Sequence, residues 1–196
     1  MSARDALGYS MVELAVVVGL TVTTTAAALP RMLAGLDDAR VAGAARYISA
    51  RFYDTRIEAV TRSTEVAFRF TATDTGYVYA VYADGNGNGV LARDIQNNVD
   101  RQLHAPERLS SQFSGVEFGT LPGLPAIEPG GPAPGDDPVR FGASNMVSFS
   151  ALGTSSSGTL YVRSRGNSQY AIRVVGATAR VRIFRFDRRS RRWLSV

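Results

Sequence analysis

The feature that most constrains this chain is a long run of uncharged, mainly apolar residues near its N-terminus. No charged residue occurs between Leu14 and Leu29. Counted from Tyr9, the segment before Pro30 would form a helix of about 31 Å at roughly 1.5 Å per residue, which is enough to cross the hydrocarbon core of a bilayer. The sequence therefore predicts a helix that needs an apolar environment over its whole length.

A secretory signal peptide is the main alternative for this segment, since the small residues at 26–28 could serve as its cleavage site. However, the segment also contains an acid, Glu13, at the start of the apolar run. A carboxylate in such a helix costs about 2.5–3.5 kcal/mol on membrane-insertion scales, so it needs a partner or a purpose. This favours a retained helix with a functional acid over a cleaved signal peptide.

The residues around this acid resemble a known processing motif. Gly8 and Tyr9, followed by Ser-Met-Val, Glu13 and the apolar run, are similar to the N-terminus of type IV pilins and type II secretion pseudopilins. The resemblance implies that a prepilin peptidase cuts between Gly8 and Tyr9 and methylates the new amino group of Tyr9. It also implies that Glu13 pairs with the N-terminal amine of a neighbouring subunit, and that Pro30 kinks the helix. A carboxylate and an ammonium buried together in lipid cost less than either does alone.

Beyond Pro30 the pattern remains helical but becomes amphipathic. Apolar or small residues recur at spacings of three and four from Val41 to Ala59, with charged residues between them. We predict that the helix continues to about Thr61 and that this stripe packs against the chain's own sheet. A partner-binding face is the alternative interpretation.

Six later segments have the alternation or the β-branched and aromatic content of strands. They are residues 64–71, 76–83, 145–151, 159–163, 169–174 and 180–186. Residues 121–138 are rich in proline and glycine and predict a long irregular loop. The whole pattern predicts an α+β fold, pilin-like, in which a long N-terminal helix packs on an antiparallel β-sheet head.

Several later stretches resemble the GspH/FimT group of minor pseudopilins and pilins. The resembling stretches are residues 54–68, 147–162 and 171–182. With the N-terminal motif, they imply a leader peptide at 1–8, a transmembrane or filament-core helix at 9–30, an amphipathic helix at 31–61, a β-rich periplasmic head at 62–187 and a basic tail at 188–196.

One loop has the spacing of a calcium site. Asp84, Asn86 and Asn88 alternate before Gly89, as oxygen ligands do in the first half of an EF-hand-type loop. The twelfth position is not Glu, although Asp94 lies next to it and could supply the missing charge. The sequence thus predicts weak calcium binding, and a hairpin turn rich in glycine and asparagine is the alternative.

Positive charge is concentrated at the C-terminal end. All 22 basic residues are arginines, against 17 acidic residues, and the formal net charge is +5. Arginine binds phosphate bidentately and aromatic rings stack on bases, so DNA is a candidate partner. The candidate residues are Arg180, Arg182, Arg185, Arg188, Arg189, Arg191 and Arg192. The alternatives are a general bias toward arginine, a solvated strand face, and contacts with acidic subunits or lipid headgroups.

The sequence offers little for catalysis. It has no cysteine, which excludes a cysteine nucleophile and a zinc–thiolate site. The single histidine, His104, lies in a polar stretch and predicts a solvated loop residue, and the Asp136–Asp137 pair predicts a solvated turn. We therefore expect no enzymatic activity and no cofactor, apart from the calcium considered above.

The resemblance implies a minor pseudopilin of a bacterial type II secretion system. Such a subunit crosses the inner membrane once, carries its head in the periplasm, and joins other pseudopilins at an inner-membrane assembly platform after processing. The alternative is a FimT-like minor pilin of a type IV pilus that binds DNA for uptake through its arginine-rich end. A signal-anchored binding domain is a third interpretation.

Overall fold

The computed structural model describes residues 10–196, so the predicted cleavage and methylation residues, Gly8 and Tyr9, lie outside the described part. The chain divides into two compact units, Met1–Leu36 and Asp37–Val196, and the second is called the head below. A single helix, α1 (Met11–Arg62), supplies residues to both units.

Helix α1 begins with Ser10 as its N-cap residue. The Ser10 side-chain oxygen accepts a hydrogen bond from the Glu13 backbone N–H at 3.1 Å, and the Ser10 carbonyl accepts one from the Leu14 N–H at 3.0 Å. Pro30, where a kink is predicted, lies inside the continuous helix, so one main-chain hydrogen bond is missing there.

The rest of the chain is mainly β-structure with two short α-helices and one 3-10 helix, Gly176–Thr178. Its first elements are β1 (Val66–Thr73), β2 (Gly76–Ala83), α2 (Ala92–Gln96), β3 (Arg101–Gln102), β4 (Glu107–Arg108), α3 (Leu109–Gln112) and β5 (Val116–Phe118). The remaining strands are β6 (Val139–Arg140), β7 (Met146–Phe149), β8 (Gly158–Ser164), β9 (Gln169–Val175), β10 (Arg180–Asp187) and β11 (Arg192–Ser195).

These strands form two antiparallel sheets. The first has the order β3-β2-β1-β7, and β4 also pairs with β2. The second has the order β11-β10-β9-β8-β5, and β6 also pairs with β8. The predicted α+β class, with a long N-terminal helix on antiparallel sheet structure, is confirmed. The sequence did not indicate that the strands divide between two sheets.

The core of the head is built on the predicted stripe of α1. Its buried residues are Val41, Ala44, Ala45, Ile48, Phe52, Thr55 and Ala59. Phe52 is central, because its ring lies edge-on to Phe68 with centroids 5.1 Å apart and also contacts Phe141 and Phe149. The stripe therefore packs within the head, as predicted.

The six predicted strands are all present, with ends within about three residues of those expected. Residues 121–138 contain no helix or strand, as predicted for an irregular loop. Residues 188–196, which were predicted as a basic tail outside the head, contain a strand, β11. This strand pairs with β10 over Phe184–Asp187. The C-terminal arginines thus belong to a hairpin.

Candidate functional site

The first candidate site is the apolar N-terminal part of α1. Its large apolar side chains are exposed; Val17 is 57% and Leu20 is 61% accessible. The most apolar stretch of 18 residues has a mean hydropathy of 1.8, and none of its residues is buried. Each such side chain gains about 1.5–3 kcal/mol on leaving water, so exposure of this many is costly. This helix is long and apolar enough to be a candidate membrane span.

The threonines of this segment have their hydroxyl groups bonded within the helix. Thr21 and Thr23 donate to the carbonyl oxygens of Val17 and Gly19, both at 2.7 Å, and Thr25 donates to Thr21 at 2.7 Å. A hydroxyl that bonds to the carbonyl four residues earlier needs no water. The polar atoms of the segment are therefore compatible with lipid or with a neighbouring helix.

Glu13 lies in the first turn of α1. There the partial positive charge of the helix N-terminus favours a carboxylate. Its backbone N–H is used by the Ser10 cap, and within residues 10–196 its carboxylate makes no hydrogen bond or ion pair. The acid thus lies three residues after the N-cap residue, with an exposed carboxylate that an external cation could reach.

The second candidate is the loop that begins at Asp84. Asp84 Oδ1 accepts the backbone N–H groups of Asn86 at 3.0 Å and Gly87 at 2.8 Å, and Oδ2 accepts that of Gly89 at 2.8 Å. Partial burial opposes ionisation, but these N–H groups outweigh it and hold the pKa of Asp84 below its usual value. Asp84 acts here as the acceptor that folds the loop.

Asp94 closes the other side of the same loop. It is 6% exposed, and its Oδ2 accepts the side-chain amide of Asn88 at 3.1 Å and that of Asn86 at 3.5 Å. The four predicted calcium residues are therefore brought together. Both carboxylate oxygens of Asp84 and the Oδ2 atom of Asp94 already accept hydrogen bonds. Among residues 10–196 there is no group of three His, Cys, Asp or Glu side chains placed for a metal.

A buried acid that the sequence did not single out fixes the ends of this loop. Asp100 is 2% exposed, and its two carboxylate oxygens accept the backbone N–H groups of Gly85 at 3.1 Å and Leu91 at 2.9 Å. Gly85 lies so close to Val99 that a β-carbon would be 2.0 Å from the Val99 carbonyl oxygen. The close approach to Val99 thus leaves no room for a side chain at position 85, and the Asp100 carboxylate holds the two ends of the loop together.

The third candidate is the arginine hairpin, defined as residues 187–192. These are the last residue of β10, the turn, and the first residue of β11. Arg188, Arg189, Arg191 and Arg192 are all exposed. Asp187 shapes the turn, since its carboxylate accepts the backbone N–H groups of Arg189 at 3.1 Å and Ser190 at 3.2 Å. The Ser190 hydroxyl and these N–H groups hold the pKa of Asp187 below its usual value.

The aromatic residues of this region are committed to the fold. Trp193 donates its indole N–H to the Pro125 carbonyl at 2.9 Å, and its ring packs against Phe186 and Tyr161 with centroids 5.2 and 6.0 Å apart. Stacking of bases on these rings would require local rearrangement. The hairpin is therefore better suited to contacts with phosphate or carboxylate groups than to base stacking.

The remaining predicted arginines do not form one patch with the hairpin. Arg180 and Arg182 are exposed on β10 and alternate with the half-buried Val181 and Ile183, as expected for a solvated strand face. Arg185 instead forms an ion pair with Asp38 of α1, with a nitrogen–oxygen distance of 3.2 Å. The seven residues thus divide into a strand face, an internal ion pair and a hairpin.

A polar cluster that the sequence does not indicate surrounds Glu107. Glu107 accepts the hydroxyl groups of Tyr47 at 2.8 Å and Tyr79 at 3.1 Å, and it pairs with Arg51 at 3.1 Å. Burial and Glu107 raise the pKa of Tyr79. The cluster joins α1, β2 and β4, and residues this far apart in the sequence give no common motif.

Comparison with known proteins gives no relative for this chain: no family model, no curated protein and no solved structure matches it.

Proposed function

We propose that this protein is a minor pseudopilin of a type II secretion pseudopilus, anchored in the inner membrane and assembled through its N-terminal helix. In this role it is a structural subunit rather than an enzyme. The prepilin peptidase cuts it after Gly8 and methylates Tyr9, and its head lies in the periplasm.

The observation that carries the proposal is the exposed, uncharged helical segment that follows Glu13. Its apolar side chains have no cover among residues 10–196, and its threonine hydroxyls are satisfied internally. Such a helix is suited to lipid before assembly and to the packed helices of a filament afterwards. Glu13 at its N-terminus offers an anion to a neighbour's amine.

Processing is tested by co-expressing the full chain with a prepilin peptidase and following its size in membranes. Gly8→Val should block cleavage, because the resemblance assigns Gly8 as the residue before the cut. Gly19→Val is the matched control, since a β-carbon at Gly19 meets no atom within 4 Å. Cleavage of Gly8→Val at the wild-type rate would contradict the assignment.

The role of Glu13 is tested by incorporation of the processed chain into filaments. Glu13→Ala should leave processing largely intact and impair incorporation. Glu13→Gln keeps the size of the side chain but removes its charge, so it should fail in the same way if the carboxylate pairs with an amine. Normal incorporation of Glu13→Gln would contradict the pairing of the Glu13 carboxylate with an amine.

A second candidate function is DNA binding by a type IV minor pilin, favoured by the exposed arginine hairpin. The full chain should then bind duplex DNA with an affinity that falls steeply with salt. Replacing Arg188, Arg189, Arg191 and Arg192 with Gln should reduce the salt slope, whereas Arg101→Gln on β3 should not. No binding of DNA at low salt would exclude this function.

A further inference from the structure

Strand β10 has a free edge at its N-terminal half. It pairs with β9 over residues 180–185 but with β11 only over residues 184–187. The Val196 N–H donates to the Ile183 carbonyl at 3.0 Å, and in the described part of the chain no strand continues beyond that point. Backbone groups two residues apart face the same way, so the N–H and carbonyl of Val181 face this open edge.

A groove of about 680 Å³ runs between this edge and helix α1. Val181 and Ile183 line it from the strand, and Ala50 and Tyr53 line it from the helix. Tyr53 is 59% exposed, although its ring is large enough to contribute substantially to a core. The groove therefore combines unpaired main-chain groups with apolar side chains, which is the arrangement that binds an added strand.

The charges of the groove all have one sign. Arg46 and Arg56 line it from the helix, Arg180 lines it from the strand side, and no acidic residue is among its lining residues. Among residues 10–196 none of these three arginines takes part in an ion pair. By contrast, Arg185 further along β10 is neutralised by Asp38. An occupant that supplies carboxylates would complement the groove.

We propose that this groove binds an extended, acidic segment of a partner protein, which adds as a strand to the free edge of β10. Its backbone pairs with Val181, its apolar side chains cover Ala50 and Tyr53, and its carboxylates lie beside Arg46, Arg56 and Arg180. A single strand edge above an apolar floor fits a polypeptide better than it fits a nucleic acid. The proposal does not depend on the membrane role of the N-terminal helix.

The test uses the full chain in detergent micelles and three labelled heptapeptides, with binding measured by fluorescence anisotropy. The first peptide, called Glu–Val, has Glu at positions one and seven, Val at positions three and five and Thr between them, so that both residue types share the face toward the groove. The second, called Lys–Val, has Lys in place of Glu. The third is the Glu–Val peptide with N-methyl groups on the edge that would face β10. We expect the Glu–Val peptide to bind and the other two not to bind. N-methylation removes the backbone donors without changing the charge, so it isolates the contribution of strand pairing.

Variants of the protein locate the site. The double variant Arg46→Glu and Arg56→Glu should weaken binding about tenfold or more, because it reverses two charges beside the peptide. Ala50→Trp, at an exposed position, should block binding by filling the groove. Arg101→Glu, an exposed arginine on β3, is the matched control and should leave binding unchanged.

Four results would overturn the proposal. They are no binding of the Glu–Val peptide, equal binding of the Lys–Val peptide, binding that survives N-methylation, and binding unchanged in both groove variants. Concentration-dependent dimerisation that the Glu–Val peptide inhibits and Ala50→Trp abolishes would assign the groove to a second copy of this chain. Competition by duplex DNA with loss of the N-methylation effect would assign the arginines to nucleic acid.

Discussion

Leu20 and Phe52 lie on the same continuous helix, but their surroundings are opposite. Leu20 is 61% exposed, whereas Phe52 is completely buried among the phenylalanines of the head. Both side chains are apolar, so the difference is in what the rest of the chain supplies. The head carries its own core, while the N-terminal segment has an apolar surface that no other part of residues 10–196 covers.

Polar groups differ between the two regions in the same way. In the N-terminal segment each bonded threonine hydroxyl donates to a carbonyl oxygen no more than four residues earlier. The helix by itself therefore satisfies these hydroxyl groups. In the head, Glu107 binds groups from positions 47, 51 and 79, so the polar cluster exists only when the fold is complete. The two regions should therefore respond differently to the same kind of substitution.

The largest expected effect comes from charge in the N-terminal segment. The double variant Val17→Arg and Leu20→Arg should cost about 5–7 kcal/mol of membrane insertion, at about 2.5–3.5 kcal/mol per arginine. The measurement is the fraction of the chain that resists alkaline extraction from membranes. Leu152→Arg is the control, since Leu152 is 92% exposed in the head. If the double variant resists extraction as well as Leu152→Arg does, the N-terminal segment does not differ from the head in its need for an apolar environment.

The second effect is the loss of the central core side chain. Phe52→Ala should lower the free energy of unfolding of the head by about 3–5 kcal/mol, because it leaves a cavity among packed aromatic rings. Chemical denaturation followed by near-ultraviolet circular dichroism measures this change. Leu20→Ala removes a similar amount of apolar surface from the other region and should leave the head unchanged. Equal destabilisation by both would contradict the separation of the two regions.

The third effect concerns the Glu107 cluster. Glu107→Gln should destabilise the head by about 1–3 kcal/mol, because it leaves the charge of Arg51 without its partner. The Arg51 Nε atom is already buried without a hydrogen-bond partner among the described residues. Denaturant midpoints compare this variant with Glu117→Gln, which alters an ion pair at the more exposed Arg163. We expect the Glu117 variant to have the smaller effect.

The fourth effect is a pH response confined to the head. The pKa of Asp84 is lower in the folded chain, so its stabilisation is complete above the ordinary aspartate pKa of about 3.9 and is lost as the pH falls through the folded value. Hydrogen-exchange protection of the Gly87 and Gly89 amides should fall in that acid range. Residues 16–29 have no titratable side chain, so their protection should stay constant. A parallel loss in both regions would indicate global unfolding instead.

The smallest expected effect is that of calcium. We expect millimolar calcium to shift the amide resonances of residues 84–94, since weak loop sites of this composition have dissociation constants on the order of 10⁻⁴–10⁻³ M. The Asp94→Asn variant should lose the response, and residues 16–29 should give none in either chain. Unchanged resonances and an unchanged melting temperature with calcium would exclude the site.

Local periodicity explains how much of the fold could be predicted. The stripe from Val41 to Ala59 and the alternation in β10 come from burial of one face, which is visible in a single sequence. Strands β1, β8 and β9 are buried on both faces over much of their length, and their β-branched and aromatic residues indicate them instead. The two-residue strands β3, β4 and β6 are too short to show alternation. Their existence depends on neighbouring strands, so the sequence could not indicate them.

The candidate sites show the same limit. The residues of the Asp84 loop are close in sequence, so their proximity in space was predicted, whereas Asp100 beneath them was not. Strand β11 was missed because its turn has no glycine. The Asp187 side chain and the left-handed backbone of Arg191, with φ of 52°, make that turn instead. The groove beside β10 depends on where β11 stops pairing, which no local pattern shows.

We propose that the N-terminal helix belongs to a processed, membrane-anchored subunit. The most direct test is the intact mass and N-terminal fragment spectrum of the full chain, purified from the membranes of a host with an active prepilin peptidase. We expect a chain that begins at Tyr9 and carries one additional methyl group on its amino nitrogen. A chain that still begins at Met1 or Ser2, or one cut after the small residues at 26–28, would contradict it.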